Sequence, residues 1–222
     1  MWAQEVLKNL ADVERDGSFA IKLRQKRNAF FKELMASIPK PIRILDVGGT
    51  ETFWKRFGFF GNKKYKITIL NLKQIRTHYS NFIGVIGDAR NMHEFSDKEF
   101  DIVFSNSVIE HLGTHTDQKR MAEEILRVGK RYLLQTPNFY FPFEPHFLFP
   151  FFQFCSMRLK MILLRHFNLG GYGKIPDKEK ARVINSIRLL KKQELRKLLP
   201  EAVIHEEKIC GLTFSFVAYY GW

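Results

Sequence analysis

The chain has 222 residues, of which 45% are hydrophobic, and a formal net charge of +13. This length and apolar content suit one globular domain with a full core and argue against a disordered or fibrous chain. Two cysteines, Cys155 and Cys210, form neither a metal-ligand spacing nor a disulfide framework. Residues 1–36 are charged and show no signal-peptide pattern, so we expect a reducing, cytoplasmic location.

Residues 1–38 predict an N-terminal helical cap. Apolar residues recur there at helical spacing, at Val6, Leu7, Leu10 and Val13 and then at Ile21, Phe30, Phe31 and Leu34. Such helices either lie across the mouth of a ligand crevice or cover one face of a sheet, and the pattern leaves both roles open.

The next segment, residues 42–54, has the sequence IRILDVGGTETFW and predicts a buried strand that runs into a tight turn. Asp46 ends the apolar run. Gly48 and Gly49 allow the backbone to turn sharply and to approach a ligand that a Cβ atom would keep away. We therefore expect a ligand-binding loop at the carboxyl end of a first strand.

Four further apolar runs predict the other parallel strands, at residues 66–70, 82–86, 101–105 and 131–136. Polar or small residues close these runs: Asn71, then Asp88 with Ala89, then Asn106 with Ser107, then Pro137 with Asn138. In an open parallel sheet the carboxyl ends of the strands line one crevice. The residues that close the runs are therefore predicted to face one ligand.

Four segments carry a family resemblance: ILDVGGTETFW, GDARNM, FDIVFSNSVIEHLG and EEILRVGKRYLLQTPN. In this order they resemble the motifs of class I S-adenosylmethionine (SAM) dependent methyltransferases, in the small-molecule branch of type 11. The resemblance covers about residues 41–138 and resumes in KKQELRKLLPEAVIHEEKICGLTFSFVAYY. It implies an α/β, doubly wound, Rossmann-like fold with a seven-stranded, mostly parallel sheet and an antiparallel last strand.

The resemblance also implies a division of the single domain. Residues 1–38 would form the cap, 41–138 the cofactor-binding core, 139–175 an inserted aromatic lid over the substrate, and 176–222 the last helices and the closing strands.

The same resemblance assigns SAM-binding roles to individual residues. Asp46, Gly48, Gly49 and Thr50 would surround the methionine part of SAM, Asn71 the ribose, Asp88 and Ala89 the adenine, and Asn106 and Ser107 the methyl-donating centre. This chain departs from the family pattern at Thr50 and Thr52, where glycine is usual, and at Asn71, where an acidic residue is usual. The bulkier threonines would narrow the loop, although their hydroxyls could contact the amino-acid group of SAM. The Asn71 amide lacks the charge of a carboxylate and therefore predicts weaker cofactor binding.

Two histidines are candidate general bases for the removal of a proton from the acceptor. His111 follows the fourth strand by one helical turn, and His146 lies in the aromatic segment 139–154 together with Glu144. An imidazole titrates near neutral pH and can accept the proton of a hydroxyl as it is methylated. Structural roles for both histidines stay open. Methyl transfer itself requires alignment and exclusion of water, so we expect no metal.

The aromatic segment 139–154 holds eight Phe and three Pro residues. The prolines exclude one continuous helix and therefore a membrane span. The adjoining residues 155–199 carry a net charge of +9, with twelve Lys or Arg residues against three acidic ones. Aromatic and basic residues together suit an anionic or amphipathic partner, such as a diphosphate-linked saccharide, a lipid headgroup or RNA.

The sequence therefore favours a SAM-dependent methyltransferase that acts on a hydroxyl of a sugar or of a glycan or lipid-linked intermediate. Residues 139–199 would contact the inner membrane face peripherally. One alternative is an RNA methyltransferase that uses the basic patch, although residues 106–109, with the sequence NSVI, lack the Pro-Pro-Tyr type motif of base N-methylating relatives. Another is a non-catalytic module with the same fold. The oligomeric state is not indicated by the sequence.

Overall fold

The computed structural model describes residues 19–222. The first predicted helical pattern, Val6 to Val13, lies outside these residues. The second pattern is confirmed as helix α1, Phe19–Leu34, which is followed by a short 3-10 turn, Met35–Ser37.

A seven-stranded sheet forms the centre of the molecule. Its strands are β1 Ile42–Val47, β2 Tyr65–Asn71, β3 Phe82–Ile86, β4 Ile102–Asn106, β5 Tyr132–Pro137, β8 Val203–Ile209 and β9 Leu212–Tyr220. They lie in the order β3-β2-β1-β4-β5-β9-β8. The first five strands are parallel, and β9 pairs antiparallel with both β5 and β8. The predicted doubly wound, mostly parallel sheet and its antiparallel closing pair are therefore confirmed.

The strand order explains where a ligand site must lie. From β1 the chain moves outward to β2 and β3 and then returns to place β4 on the other side of β1. Parallel strands whose connections diverge in this way leave a crevice at their carboxyl ends. In this molecule the crevice opens beyond Val47 and Asn106, the last residues of β1 and β4.

Helices cover both faces of the sheet. They are α2 Glu51–Arg56, α3 His115–Val128, α4 Met157–His166, α5 Asp177–Ser186 and α6 Lys192–Leu198, in addition to α1. Alternate side chains of β1 point to opposite faces. Leu45 packs in one buried cluster with residues of α3 and α6, and Ile44 packs in the other with Phe31 of α1 and Trp54 of α2. The apolar runs of the sequence thus reflect strands that are buried on both sides.

The aromatic segment forms a small structure of its own. Strands β6 Phe143–Glu144 and β7 Phe149–Pro150 pair antiparallel, separately from the main sheet. A third buried cluster joins Phe147 and Phe152 of this segment to Leu164 of α4 and Ile184 of α5. The packing unit therefore includes residues on both sides of the expected lid boundary at residue 175.

Candidate active site

A cavity of about 490 Å³ opens at the carboxyl ends of β1, β2, β3 and β4. Its lining residues are Val47, Gly48, Leu70, Asn71, Leu72, Gly87, Asp88, Ala89, Arg90, Ser107, Val108, His111 and Leu112. This volume lies within the usual range of small-molecule sites, which is roughly 300–1,000 Å³. The loops that follow four parallel strands thus contribute to one site, as the sheet order requires.

Two glycines allow the loop after β1 to lie close to the cavity. Gly48 has a φ of +76°, and its N–H donates to the carbonyl of Leu70 at 2.8 Å. A Cβ atom on Gly48 would lie 2.7 Å from Cγ2 of Val108, and one on Gly49 would lie 1.6 Å from Oδ2 of Asp46. Any other residue at these two positions would displace the loop or the cavity wall.

Asp46 and Thr50 hold the loop from outside the cavity. Asp46 is buried, and its Oδ2 accepts a hydrogen bond from Nε1 of Trp54 at 2.6 Å. Burial raises the pKa of the Asp46 carboxyl to about 7. Thr50 is the N-cap of α2, where its hydroxyl accepts the backbone N–H of Phe53 at 3.3 Å. Both residues therefore stabilise the turn on which Gly48 lies.

Asn71, Asp88 and Ala89 all line the cavity. The Asn71 amide donates to the carbonyl of Gly49 at 3.3 Å, which leaves its side-chain oxygen to accept a hydrogen bond from a ligand. Asp88 accepts from the guanidinium and the backbone N–H of Arg90. The Arg90 hydrogen bonds lower the pKa of Asp88, so its carboxylate is charged at neutral pH.

Asn106 and Ser107 point in different directions although they are adjacent. Ser107 lines the cavity with a φ of +56°, and its hydroxyl donates to Oε1 of Gln135 at 2.7 Å. The Asn106 amide oxygen accepts a hydrogen bond from Arg27 of α1 and lines a separate, small cavity. Of the four side chains expected to converge on one ligand, Asn71 and Asp88 line the large cavity, while Asp46 lies beneath its loop and Asn106 lies beside α1.

The two candidate bases are brought into direct contact. Nε2 of His111 lies 3.2 Å from Nε2 of His146, and the two rings meet edge to face. The other ring nitrogen of His146, Nδ1, lies 2.6 Å from Oε1 of Glu144. Glu144 is buried and also accepts the backbone N–H groups of His146 and Phe147. A line of polar groups therefore runs from the hairpin β6–β7 to the cavity wall.

The pKa values of the two histidines are shifted in opposite directions. Burial, followed by the neighbouring His146, lowers the pKa of His111 to about 4. Burial also acts to lower the pKa of His146, but the hydrogen bond and charge of Glu144 outweigh it and raise that pKa. His111 is consequently a neutral imidazole at pH 7, with a lone pair on one ring nitrogen.

Glu110 adds a second buried carboxyl to this region. Its Oε2 accepts from the hydroxyl of Thr136 at 3.1 Å, whereas its Oε1 is buried without a hydrogen-bond partner among the described residues. Burial raises the pKa of Glu110 to about 7. The sequence indicated His111 in one segment and Glu144 and His146 in another, but nothing in the pattern indicated that the two segments meet.

A second cavity, of about 300 Å³, lies on the other side of Glu144. It is lined by aromatic residues of the inserted segment, among them Phe139 and Phe152, and by Lys160, Arg188 and Lys191. The ammonium groups of Lys160 and Lys191 lie over the rings of Phe152 and Phe139, at 5.6 and 5.3 Å from the ring centroids. Within residues 19–222 neither lysine forms an ion pair, so both are available to an anionic ligand.

Sequence comparison agrees with this architecture. A family model described as a methyltransferase domain matches residues 63–132. The uncharacterized protein Rv1509 of Mycobacterium tuberculosis is 36% identical over 92 residues, which are 41% of this chain and 31% of that protein. The chain thus matches less than a third of the length of that relative.

Two solved structures share the fold. The CurJ carbon methyltransferase superposes with a TM-score of 0.56 at 14% identity, covering 97% of this chain and 58% of that one. A SAM-dependent methyltransferase from Aquifex aeolicus superposes with a TM-score of 0.50 at 14% identity, covering 97% and 96%. At this level of identity the superpositions establish the fold alone.

The sheet order is that of the Rossmann-like methyltransferase fold, and the methyltransferase-domain model matches part of the chain, residues 63–132. More particularly, the chain is similar to the class I SAM-dependent methyltransferases, and SAM is the cofactor that this similarity implies. The cavity fits this group. Gly48 leaves room that a Cβ atom would fill, Asn71 and Asp88 offer oxygen acceptors, and Leu72, Ala89 and Leu112 provide apolar contacts for a flat ring.

Proposed function

We propose that the protein transfers a methyl group from SAM to a hydroxyl of a sugar, or of a glycan or lipid-linked intermediate. The observation that carries this proposal is the connection between the two cavities. His111 lines the larger cavity, Glu144 lines the smaller one, and His146 contacts both residues. A methyl donor and an acceptor held in these cavities would meet at the histidine pair.

In this proposal SAM supplies an activated methyl group on a positively charged sulfonium. Asn71 holds the ribose, Asp88 and Ala89 hold the adenine, and the turn at Gly48 holds the amino-acid part. The protein's contribution is to align the acceptor oxygen and to exclude water. His111 and His146 are the candidate groups that take the hydroxyl proton.

The chemistry of the smaller cavity supports an anionic, partly apolar acceptor. Phenyl rings suit the faces of a sugar or a lipid chain, and Lys160 and Lys191 suit a phosphate or diphosphate. A diphosphate-linked saccharide combines these features. Such an acceptor is made at a membrane, so we place the protein peripherally at the inner membrane face. Within residues 19–222 no helix reaches the length and hydropathy that a membrane span requires.

The first experiment is calorimetric titration with SAM. Wild-type protein should bind one SAM per chain. Asn71→Ala should weaken binding by about tenfold, which corresponds to about one hydrogen bond of 1.4 kcal/mol. Asn62→Ala is the matched control, because Asn62 precedes β2 at the opposite end of the sheet. A wild-type protein without measurable SAM binding would favour the non-catalytic module instead.

The second experiment identifies the acceptor. The protein is incubated with methyl-labelled SAM and, separately, with lipid-linked glycan, free sugar nucleotide and total RNA. We expect label in the lipid-linked glycan. Label in RNA alone would replace this proposal with an RNA methyltransferase that uses the basic residues.

The third experiment tests the histidines. Replacement of His111 or His146 by alanine should reduce kcat by about 10²-fold or more if either accepts the proton, and His146→Ala, which lies outside the lining of the large cavity, should keep its SAM affinity. Unchanged turnover in both variants would remove both residues from consideration as bases.

A further inference from the structure

We propose that Glu110, His111 and His146 bind one divalent transition-metal ion of the zinc or cobalt class. One ligand atom of each residue lies within 4.8 Å of the other two. The two histidine Nε2 atoms are 3.2 Å apart. Two nitrogens that bind a tetrahedral zinc at roughly 2.0–2.1 Å are themselves separated by about 3.3 Å. The histidine pair is therefore already spaced as two ligands of one ion.

The third ligand is a carboxylate oxygen of the buried Glu110, one of whose two oxygens lacks a hydrogen-bond partner among the described residues. Oε1 of Glu110 is inaccessible to solvent and accepts no hydrogen bond from residues 19–222, whereas its other oxygen is bonded to Thr136. A buried polar atom in this condition is costly and requires an explanation. A cation between Glu110 and the two imidazoles would satisfy this oxygen.

Glu144 supplies the support that a ligating histidine usually has. Its Oε1 holds Nδ1 of His146 at 2.6 Å, and its Oε2 is fixed by the backbone N–H groups of His146 and Phe147. A carboxylate on one ring nitrogen sets the tautomer and directs the lone pair of the other nitrogen to the metal. The lone pair of His146 Nε2 then points toward His111 and Glu110.

The position of the cluster gives the ion a role. His111 lines the large cavity, and Glu144, which holds His146, lines the smaller one, so the ion would lie where the two cavities meet. Two imidazoles and one carboxylate with an open position form a ligand set that is common for catalytic zinc. An oxygen of the acceptor would bind at the open position and be oriented by the ion. Neither histidine would then be free to accept a proton, so the ion and the base are alternative uses of the same nitrogens.

The test is a titration of the metal-free protein with Co²⁺, followed by visible absorption and then by competition with Zn²⁺. We expect one Co²⁺ per chain, with an absorption spectrum typical of four- or five-coordinate cobalt. His111→Ala, His146→Ala and Glu110→Gln should each weaken binding by at least tenfold. Glu144→Gln should weaken it by about 10- to 100-fold, as loss of a supporting carboxylate does.

His93→Ala is the matched control. His93 is exposed and pairs only loosely with Glu94, at 3.8 Å, so its loss should leave Co²⁺ affinity unchanged. Near-ultraviolet circular dichroism and urea unfolding of each variant show whether it is folded.

Absence of stoichiometric Co²⁺ binding by the wild-type protein would overturn the proposal, and so would wild-type affinity in folded His146→Ala. The titration requires neither SAM nor an acceptor. A protein that binds Co²⁺ but transfers no methyl group would therefore contradict only the proposed function.

Discussion

Gly48 is the residue at which backbone conformation and ligand space are most directly linked. Its φ of +76° is matched by the φ of +79° at Gly58, but the surroundings differ. A Cβ atom at Gly48 would press on Val108 in the cavity wall, whereas a Cβ atom at Gly58 would have no atom within 4 Å. A comparison of substitutions at the two positions therefore distinguishes the effect of backbone strain, which both share, from the effect of steric conflict, which occurs only at Gly48.

We predict that Gly48→Ala and Gly58→Ala lose similar stability from backbone strain, about 1–2 kcal/mol each, with an additional loss for Gly48→Ala. Only Gly48→Ala should lose SAM affinity, by at least tenfold, because its Cβ atom would displace Val108, which lines the cavity. Urea unfolding and calorimetry measure the two effects. Equal SAM affinities in the two variants would show that the turn does not limit the site.

Asp46 is a second residue whose environment has a measurable consequence. Its folded pKa is raised to about 7, from an ordinary value of 3.8, because it is buried. Between these two pH values the folded state binds a proton that the unfolded state has released. The contribution of Asp46 to stability therefore decreases as pH rises from about 4 to about 7.

We predict that Asp46→Asn, which keeps an acceptor for Trp54 Nε1, removes this part of the pH dependence. The free energy of unfolding of wild type minus that of the variant should fall by a few kcal/mol between pH 4.5 and pH 8. This difference between wild type and variant removes the contributions of other titrating groups to the pH dependence, including that of Glu110, whose pKa is also raised. A difference that is constant over this range would contradict the prediction.

At the scale of elements, helix α1 is attached to strand β8 by a buried ion pair. The guanidinium of Arg27 donates to both carboxylate oxygens of Glu207, at 3.0 and 2.5 Å. Arg27 also donates to Asn106 at the end of β4. Helix α1 therefore contacts the end of β4, a strand that contributes to the site. This contact lies beside the large cavity and not within it.

We predict that Arg27→Ala destabilises the protein by about 3–5 kcal/mol, because it leaves the Glu207 carboxylate buried without its counter-charge. Arg43→Ala, which removes an exposed arginine paired with Glu99, should cost less than about 1 kcal/mol. Urea unfolding compares the two. The double variant Arg27→Met with Glu207→Leu should be less destabilised than Arg27→Ala, and a larger loss would contradict this account.

The elements differ in how well the sequence predicts them. Strands β1, β4 and β5 are buried almost throughout, so the sequence shows them as apolar runs. The run at 82–86 coincides with β3, although Ile83 and Ile86 of this strand are exposed. The strands β6 and β7 have two residues each. Such short strands are set by the packing of Phe147 and Phe152 and not by local propensity, and the sequence did not indicate them.

The site was predictable to the extent that it depends on strand ends. Asn71, Asp88 and Ser107 line the cavity because they follow parallel strands. Asn106 does not, because side chains alternate along β4 and the positive φ of Ser107 turns the chain after it. The contact between His111 and His146 depends on a packing of residues 35 positions apart, which no local pattern encodes.

On the scale of the whole molecule, large apolar side chains are exposed within the inserted region, residues 139–175. Phe151, Phe154, Leu159, Ile162 and Phe167 are all exposed. Three of them lie within residues 155–199, which carry a net charge of +9. An apolar patch bordered by basic residues is typical of a surface that lies at an anionic membrane. The patch adjoins the smaller cavity, so a lipid-linked acceptor could enter from the bilayer.

We predict that the protein sediments with vesicles that contain phosphatidylglycerol and not with purely phosphatidylcholine vesicles. The double variant Leu159→Ser with Ile162→Ser should reduce the bound fraction several-fold, because both side chains lie exposed on α4. The matched control is Val203→Ser with Leu212→Ser, since these residues are at least as exposed but lie on the closing strands β8 and β9. Binding should also weaken at 0.5 M salt, because ionic screening shortens the reach of the basic residues to about 4 Å. Equal binding by the two double variants would show that the patch does not contact the membrane.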